Sequence, residues 1–433
     1  MLLHVYGDNL CAWVSAAALA STGNQVVLHL LEPPTDAEVQ AGNIPFSEPG
    51  LAALVTEQLR DQRLRFAGFA ELPGEQATLV FLALQPDKLA QAQHLVERLA
   101  GLPARHWLLV NQSTFPVGST EALQQRFLDA AGASASLVAV SFPDLLQEGA
   151  ALQNFTRPTH LIVGCEDRAA EALVREVLRP FNRRKESMLV MRAREAEFTK
   201  LAINGMLATR LSFMNDMANV ADVLGVDIEK VRVGVGSDAR IGEAYLYPGC
   251  GFGGLSFSRD LMILEDTLKA SGAGSELLHQ VLMINEKQKE VLFRKLWQHY
   301  RTDIKGKKVA IWGAAFKPGT HRIDNAPVLR LIDTLLAQQV EVHVHDPRAL
   351  PTLQKHYGDR TGLFYHDDQY VATQDADALM LVTEWKSYWQ PDFPRLHAAM
   401  RSPLILDGRN IYGPAFVRSQ GFTYHGVGRG TRA

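Results

Sequence analysis

The sequence is poor in cysteine, in clustered basic residues and in long apolar runs, and each shortage excludes a class of protein. Its 433 residues include three cysteines, Cys11, Cys165 and Cys250, too few and too scattered for a disulfide framework or a zinc site. Lys and Arg form no block or stripe, and the formal net charge is -3, so nucleic acid is not an expected partner. No apolar run reaches the ~20 residues of a membrane span. We therefore expect a cytoplasmic protein without a structural metal or a membrane partner.

The composition is that of a soluble globular protein, with 47% hydrophobic and 21% charged residues. A chain of 433 residues is too long for one ordinary hydrophobic core. Two or three domains are expected.

The N-terminal part alternates strand and helix patterns. Residues 2–6 are apolar and predict a buried strand, Gly7 predicts a turn, a helix follows to Ser21, and residues 25–31 predict a second strand. Further apolar runs predict strands at residues 78–84, 106–110 and 137–140. Alternation of this kind is typical of a parallel, doubly wound sheet.

The rest of the chain divides into a helical part and a second strand–helix part. Residues 195 to about 225 lack proline and predict a long helix, and helical patterns return from 276 to about 300. A second strand–turn–helix–strand unit begins at residue 308, with later strands at 340–345, 376–382 and 403–406. The prediction is an α/β protein with two Rossmann-like doubly wound domains, residues 1–194 and 302–433, joined by a helical central domain, residues 195–301.

Short motifs along the whole chain resemble those of the UDP-glucose/GDP-mannose dehydrogenase family. They lie in the family's order at residues 43–51, 113–119, 143–149, 200–204, 240–242, 251–260, 315–318, 383–385 and 407–409. The resemblance implies oxidation of the C6 alcohol of a nucleotide sugar to a carboxylate with two NAD molecules. In that family a Cys thiolate attacks the aldehyde intermediate, and the resulting thioester is hydrolysed.

The loop at residues 251–260 departs from the family at its nucleophile. It reads Gly-Phe-Gly-Gly-Leu-Ser-Phe-Ser-Arg-Asp, and Ser256 stands where the family has its catalytic Cys. A thiol with a pKa of ~8.5 supplies thiolate near neutral pH, whereas a serine hydroxyl needs a base. A serine ester would also resist hydrolysis more than a thioester does. Cys250 is either a displaced nucleophile or a small loop residue.

The cofactor motif departs from the family as well. The resemblance places NAD at Gly7, Asn9, Ala12 and Thr114, but Asn9 stands where the family pattern Gly-x-Gly-x-x-Gly has its second glycine. Leu30 stands where an acidic residue should bind the ribose, and Asp324 replaces an arginine that reaches the cofactor. Two interpretations remain open, namely retained NAD binding and weakened or lost NAD binding.

The residues implied for the sugar are mostly kept. Lys200 and Asn204 are four apart on a predicted helix and match groups that stabilise the oxyanion at C6, while Asp260 matches the residue that helps to activate water. Asp144 stands where the family has a Glu. It is either a catalytic residue or a loop carboxylate without a catalytic role. The nucleotide sugar is expected on Glu148, Arg240, Phe252, Gly253, Phe316, Lys317 and Arg409.

Three functions follow from these patterns. The first is a pseudoenzyme that binds a nucleotide sugar of the UDP-glucose or UDP-glucuronate type and has lost four-electron oxidation. The second is a divergent, active NAD-dependent nucleotide-sugar 6-dehydrogenase that makes a UDP-uronic acid or stops at the aldehyde, and the third is a non-redox enzyme acting on the same ligand. The resemblance also implies a homodimer built on the central helices.

Overall fold

The chain forms two compact units, Met1–Ile203 and Asn204–Ala433. The structure is a computed structural model, and it describes residues 1–35, 38–39, 42–74, 78–103, 106–132, 135–182, 187–270, 272 and 275–430, without the side chains of residues 255, 256 and 270.

The N-terminal unit is built on an eight-stranded sheet. Its strands are β1 (Leu2–Tyr6), β2 (Gln25–Leu30), β3 (Leu64–Gly68), β4 (Leu79–Leu82), β5 (His106–Asn111), β6 (Ser136–Ser141), β7 (Leu161–Gly164) and β8 (Met188–Met191). The spatial order is β3-β2-β1-β4-β5-β6-β7-β8. The first six strands in this order are parallel, and β7 and β8 run antiparallel to them. The order 3-2-1-4-5-6 is that of a dinucleotide-binding Rossmann sheet.

Helices cover this sheet on both faces. They are α1 (Leu10–Ser21), α2 (Leu51–Arg60), α3 (Leu89–Ala100), α4 (Ser119–Ala131), α5 (Ala151–Thr156) and α6 (Arg168–Leu178), with 3-10 turns at Pro86–Lys88 and Arg179–Phe181. In β4, Leu79 and Phe81 enter one apolar cluster while Val80 and Leu82 enter another. Successive side chains of a strand point to opposite faces, so a strand covered on both sides has to be apolar throughout.

Helices and loops make up the described residues between 193 and 299. The helices are α7 (Ala193–Leu224), α8 (Ile228–Gly236), α9 (Leu255–Ala270), α10 (Glu276–Gln288) and α11 (Val291–His299). Side-chain oxygens of Asp227 and Ser275 accept hydrogen bonds from first-turn amides of α8 and α10. Polar residues before these helices therefore fix where they begin.

A second, all-parallel sheet organises the C-terminal unit. Its strands are β9 (Lys308–Trp312), β10 (Glu341–His345), β11 (Leu363–Tyr365), β12 (Ala378–Leu381), β13 (Leu404–Asp407) and β14 (Thr423–Gly426), in the order β11-β10-β9-β12-β13-β14. The accompanying helices are α12 (Pro327–Ala337), α13 (Leu350–Tyr357), α14 (Gln369–Ala372), α15 (Phe393–Ala399) and α16 (Pro414–Ser419), with a 3-10 turn at Lys386–Tyr388.

The predicted fold class is confirmed, with two Rossmann-like parallel sheets and a helical central region. The long helix predicted from residue 195 to about 225 spans Ala193–Leu224. Five strands were not predicted, namely β3, β7, β8, β11 and β14. Most of these are short or lie at a sheet edge, where one side of the strand has no neighbour and the apolar pattern is weaker. No described helix is both long and apolar enough to cross a bilayer.

Candidate functional site

The turn after β1 is built for close approach of the backbone. Gly7 has φ of +152°, and a Cβ atom on it would lie 1.9 Å from the carbonyl oxygen of Ala83. Only glycine can occupy such a position without displacing the end of β4. The first position of the predicted cofactor motif is therefore intact in its geometry.

Asn9, at the second position of the motif, caps the N-terminus of helix α1. Asn9 is the residue that precedes the helix, and its Oδ1 accepts a hydrogen bond of 2.9 Å from the backbone N–H of Ala12. First-turn amides of this helix are the groups that a pyrophosphate binds in a Rossmann domain. The Asn9 side chain thus satisfies one of the donors that an anion at this turn would use.

The position expected to bind the ribose is apolar. Leu30 ends β2 and is 2% exposed, whereas Glu32 lies beyond the strand and is exposed. In the C-terminal unit, Asp324 forms an ion pair of 2.8 Å with Arg322. The carboxylate at the position that matches the family's arginine is thus held by a neighbouring cation.

The loop that carries Thr114 is fixed by buried hydrogen bonds. Thr120, in the first turn of α4, donates from its backbone N–H and from its hydroxyl to Glu197 Oε1, at 2.9 and 2.6 Å. Gly118 N–H donates to Glu197 Oε2 at 2.6 Å. Burial raises the pKa of Glu197, and these donors oppose the rise. Glu197 therefore ties helix α7 to the loop at residues 113–118.

Asp144 and Lys200 come together within the N-terminal unit. The Asp144 carboxyl accepts a bond of 2.8 Å from Leu146 N–H, and the structure places Lys200 in a buried position on α7. Burial raises the pKa of Asp144, while the Lys200 charge and the Leu146 amide lower it. A carboxyl group whose pKa is raised is suited to proton transfer, and a nearby cation is suited to stabilising negative charge.

Cys11 lies beside this pair but cannot replace a nucleophile. Its thiol is buried, and burial together with the Asp144 charge raises its pKa well above the ordinary value. A thiol in apolar surroundings remains protonated and inert.

A buried glutamate that was not predicted supports the loop after β6. Glu48 accepts bonds of 2.7 Å from Gly149 N–H and 2.8 Å from Ala151 N–H at the start of α5. It therefore positions the backbone next to Glu148. Glu48 belongs to the motif at residues 43–51, which was recognised by resemblance. The sequence could not show its hydrogen-bond partners, because they lie about a hundred residues further along the chain.

In the C-terminal unit, Asn204 and Asp260 are joined directly. Asn204 Nδ2 donates to Asp260 Oδ2 at 2.7 Å, and Asp260 is 2% exposed. Asp260 lies in α9, the helix that also contains Ser256 near its N-terminus. The side chain of Ser256 lies outside the described part of the structure. Asn204 itself lies one helical turn after Lys200 in α7.

The loop before α9 is clamped from several sides. Asn285 receives a hydrogen bond of 2.8 Å from Phe252 N–H and returns one of 3.1 Å to the Phe252 carbonyl. A Cβ atom on Gly253 would lie 2.6 Å from the Asn325 carbonyl, and one on Gly254 would lie 2.9 Å from the Phe316 ring. These glycines allow the loop to pack against residues 316 and 325, a packing that any larger residue would prevent.

Arg409 and Cys250 pack in the same region of the C-terminal unit. Arg409 donates to the carbonyls of Val382 and Gly251 at 2.6 and 3.3 Å and pairs with Glu384 at 3.2 Å. The Cys250 thiol is 1% exposed, burial raises its pKa, and it donates to the Val382 carbonyl. This environment favours the small loop residue over the displaced nucleophile.

Arg240 lies apart from these clusters, whereas Lys317 follows Phe316, whose ring packs against the loop before α9. Arg240 is exposed along 88% of its side chain and pairs with Asp238 at 2.6 Å. Lys317 Nζ lies 5.5 Å from the centre of the Phe316 ring. Among the described residues, no three His, Cys, Asp or Glu side chains are placed to hold a metal ion.

Three family models match successive parts of the chain. The NAD binding domain of the UDP-glucose/GDP-mannose dehydrogenase family matches residues 2–182, the central domain matches 194–287, and the UDP binding domain matches 310–414.

Individual proteins match over nearly the whole length. The chain is 40% identical to UDP-glucose 6-dehydrogenase of Pseudomonas aeruginosa, covering 99% of this chain and 98% of that protein. It is 31% identical to UDP-glucose 6-dehydrogenase TuaD of Bacillus subtilis, covering 98% and 92%. A UDP-glucose dehydrogenase structure from Pyrobaculum islandicum superimposes with a TM-score of 0.88 at 29% identity, covering 99% and 97% of the two chains. The chain belongs to the UDP-glucose/GDP-mannose dehydrogenase family.

Proposed function

We propose that this protein binds a nucleotide sugar of the UDP-glucose or UDP-glucuronate type and does not carry out the four-electron oxidation of its relatives. The observation that carries the proposal is the hydrogen bond from Ala12 N–H to Asn9 at the turn of the cofactor motif. Most of the residues implied for the nucleotide sugar are retained, whereas the cofactor turn and the nucleophile are altered. The protein would then act as a sensor, a scaffold or a partner subunit.

The groups expected to hold the sugar are supported in each unit separately. In the N-terminal unit the Lys200 charge acts on the buried Asp144 carboxyl, and in the C-terminal unit Asn204 donates a hydrogen bond to Asp260. Such donors and acceptors suit the hydroxyls of a hexose. Phe252, Gly253, Phe316, Lys317 and Arg409 remain the proposed contacts for the rest of the nucleotide sugar, with Glu148 and Arg240 as further candidates.

NAD fits the residues of the N-terminal turn poorly. Asn9 already occupies the Ala12 amide, and its side chain takes up space that a glycine would leave to a pyrophosphate. The side chain of Leu30 offers no hydrogen bond to a ribose hydroxyl. We therefore propose Gly7, Asn9, Ala12 and Thr114 as the remnant of a cofactor site with weakened affinity.

The serine in place of cysteine is the second part of the proposal. Formation of a thioester needs a thiolate, and Ser256 has no sulfur to provide one. Neither Cys11 nor Cys250 substitutes for it, because burial raises the pKa of both thiols. The oxidation of an aldehyde to a hydrolysable acyl intermediate is therefore expected to fail.

Separate calorimetric titrations with UDP-glucose and with NAD test the proposal. We expect heat on addition of UDP-glucose and none with NAD up to millimolar concentration. If NAD binds in the micromolar range, the interpretation of Asn9 and Leu30 is wrong.

A restoration experiment then tests the chemistry. The double variant Asn9→Gly/Ser256→Cys should produce UDP-glucuronate from UDP-glucose and NAD, measured by chromatography, whereas the wild type should not. The matched control Asn9→Gly/Ser237→Cys places the new thiol at an exposed position and should remain inactive. Formation of UDP-glucuronate by the wild-type protein would overturn the pseudoenzyme.

An active dehydrogenase is the second candidate function. It is favoured by the 40% identity to a UDP-glucose 6-dehydrogenase over 99% of the chain. In this case Lys200 and Asn204 would stabilise the oxyanion at C6 despite the presence of Ser256. Asp260 would help to activate water. Accumulation of an aldehyde, trapped with hydroxylamine, would identify an enzyme that stops after the first oxidation.

We also propose a homodimer formed through the central helices. Met206, Phe213 and Val220 recur every seven residues along α7 and are 62%, 51% and 44% exposed. An apolar stripe with this period is typical of a helix that pairs with another helix. A second copy of the chain, aligned along the same stripe, would cover it.

A further inference from the structure

Two helices hold the backbone of a single residue at the start of the loop that carries Phe252 and Gly253. The N–H of Gly249 donates to Asn215 Oδ1 at 2.8 Å, and its carbonyl accepts from Gln288 Nε2 at 2.7 Å. Asn215 belongs to α7 and Gln288 ends α10, and they are 2% and 1% exposed. Neither side chain has a role in the function proposed above.

The Gln288 amide is used at both of its ends. Its Oε1 accepts a hydrogen bond of 3.0 Å from Asn219 Nδ2, and Asn219 lies one helical turn after Asn215 in α7. Because an amide has one accepting and one donating end, this bond turns the NH₂ group of Gln288 towards the Gly249 carbonyl. Helix α7 therefore fixes the orientation of the side chain that holds the loop.

Helix α10 holds the loop a second time at residue 252. Asn285 lies three residues before Gln288, on the same side of the helix, and it binds both the N–H and the carbonyl of Phe252. A segment rich in glycine has many accessible conformations, and bonds at both of its ends select one of them.

The residues between these two points reach the C-terminal sheet. Cys250 N–H donates to the Gly408 carbonyl at 2.9 Å, and Arg409 donates to the Gly251 carbonyl at 3.3 Å. Arg409 is one of the proposed contacts of the nucleotide sugar. A loop that moved at residue 249 would therefore also lose its alignment with Arg409.

We propose that Gln288 is a positioning residue for the nucleotide sugar. It holds the loop at residues 249–254 in one conformation before the ligand binds, so that Phe252, Gly253 and Arg409 act together. A loosened loop would have to be ordered on binding, and this entropic cost would lower the affinity. The inference rests on the proposed binding of a nucleotide sugar, and it assigns Gln288 no contact with the ligand.

A carboxyl group on a side chain of the same length tests the donor. Gln288→Glu still accepts from α7, but it donates to the Gly249 carbonyl only when it is protonated. Burial raises the pKa of a carboxyl group, and the neighbouring cation Lys289 is already bound by Glu286 and Asn325. The new side chain should therefore gain its proton as the pH falls from about 8 to about 5.5.

Calorimetric titration with UDP-glucose measures the effect. At about pH 8, Gln288→Glu should bind at least about tenfold more weakly than the wild type, and at about pH 5.5 it should bind within about threefold of the wild type. Gln288→Met cannot donate at either pH and should bind weakly at both. Gln280→Met, at an exposed position of the same helix, should bind as the wild type does.

Hydrogen–deuterium exchange of the ligand-free chain, followed by mass spectrometry, tests the positioning itself. Peptides that cover residues 249–254 should exchange at least about tenfold faster in Gln288→Met than in the wild type, whereas peptides from β1 should exchange alike in both. The proposal is overturned if the loop exchanges normally in Gln288→Met, if that variant binds UDP-glucose as the wild type does, or if acid does not restore Gln288→Glu. A wild type that does not bind UDP-glucose contradicts the proposed function instead, and the exchange still decides whether Gln288 holds the loop.

Discussion

A single side chain changes the character of the N-terminal turn. Asn9 is a good residue with which to begin a helix, because its oxygen satisfies an amide that would otherwise lack a partner. The same hydrogen bond competes with an anion at that amide. Helix stability and phosphate binding are thus opposed at one position.

We expect Asn9→Gly to strengthen NAD binding by at least about tenfold, because it frees the Ala12 amide for a charged acceptor and removes the side chain. Calorimetric titration with NAD measures the change. Asp167→Gly is the matched control, since Asp167 caps α6 in the same way and its loss should leave the affinity for NAD unaltered. Equal NAD affinity in Asn9→Gly and wild type would show that the cap is not what limits the cofactor.

At the scale of elements, buried carboxylates hold helices and loops in place. Glu197 in α7 accepts three hydrogen bonds from Gly118 and Thr120 at the start of α4. The carboxylate complements both the unsatisfied amides and the positive end of the helix. Glu197 therefore holds the start of α4, which follows the Thr114 loop, against the first turns of α7.

Replacing Glu197 with Ala should lower the free energy of unfolding by about 2–3 kcal/mol, because it leaves buried donors without an acceptor. Urea unfolding followed by circular dichroism measures the loss. Glu195→Ala, two residues earlier in α7, removes an exposed acceptor of the Arg192 backbone N–H and guanidinium and should lower the free energy of unfolding by no more than about 1 kcal/mol. If both variants unfold alike, the Glu197 contacts do not stabilise the unit.

Adjacent strands of the N-terminal sheet share a buried pair of histidines. His4 Nδ1 and His29 Nε2 are 2.8 Å apart, and the His29 ring stacks on Tyr6 with 4.0 Å between ring centres. Burial lowers the pKa of each histidine from 6.5 to about 4. His29 and Arg65 lower the pKa of His4 further and Glu71 raises it, while the hydrogen bond with the Gly68 carbonyl raises the pKa of His29 and Arg65 lowers it. The folded unit therefore keeps the pair neutral.

Stability of the N-terminal unit should fall as the pH decreases from 6.5 towards about 4. In that window the unfolded chain takes up protons that the folded unit excludes, so acid favours unfolding. We expect the pair to account for roughly 2–4 kcal/mol of the loss. Urea unfolding of His4→Phe/His29→Phe should show a smaller decrease between about pH 7 and about pH 5 than the wild type. His94→Phe, at an exposed position, should leave the pH dependence as it is.

At the scale of the whole molecule, several of the exposed apolar side chains form a stripe along α7. Val223 and Leu224 near its end are 81% and 64% exposed, and they extend the row formed by Met206, Phe213 and Val220. Isolated exposed apolar residues are ordinary, whereas apolar residues that recur along one side of a helix favour a partner that covers them.

The double variant Phe213→Asp/Val220→Asp should be a monomer under conditions in which the wild type sediments as a dimer. Charges in the stripe would be desolvated in a paired interface and would repel their copies. Analytical ultracentrifugation measures the change. Phe416→Asp removes an apolar side chain that is 56% exposed on another surface and should not alter the mass. A wild type that sediments as a monomer would contradict the proposed dimer.

The sequence determined the fold class because the determining patterns are local. Apolar runs separated by turn residues predicted both parallel sheets, and the absence of proline between residues 195 and 225 predicted helix α7. The sequence also identified Gly7 as a turn residue. The structure adds the reason why only glycine fits there, since a Cβ atom at this position would lie 1.9 Å from the Ala83 carbonyl oxygen. The motifs in their order also indicated the family, which the comparisons establish.

Tertiary structure alone decided how the distant groups combine. Nothing near Glu48 or Glu197 in the sequence shows that they bind amides 101 and 79 residues away, because the chain separation of two groups carries no information on their distance in the fold. The hydrogen bond from Gln288 to the carbonyl of Gly249, 39 residues away, likewise becomes visible only when helices and loops from separate parts of the chain pack together. Hydrogen-bond partners are chosen by packing in three dimensions, whereas helices, strands and turns are already favoured by neighbours in sequence.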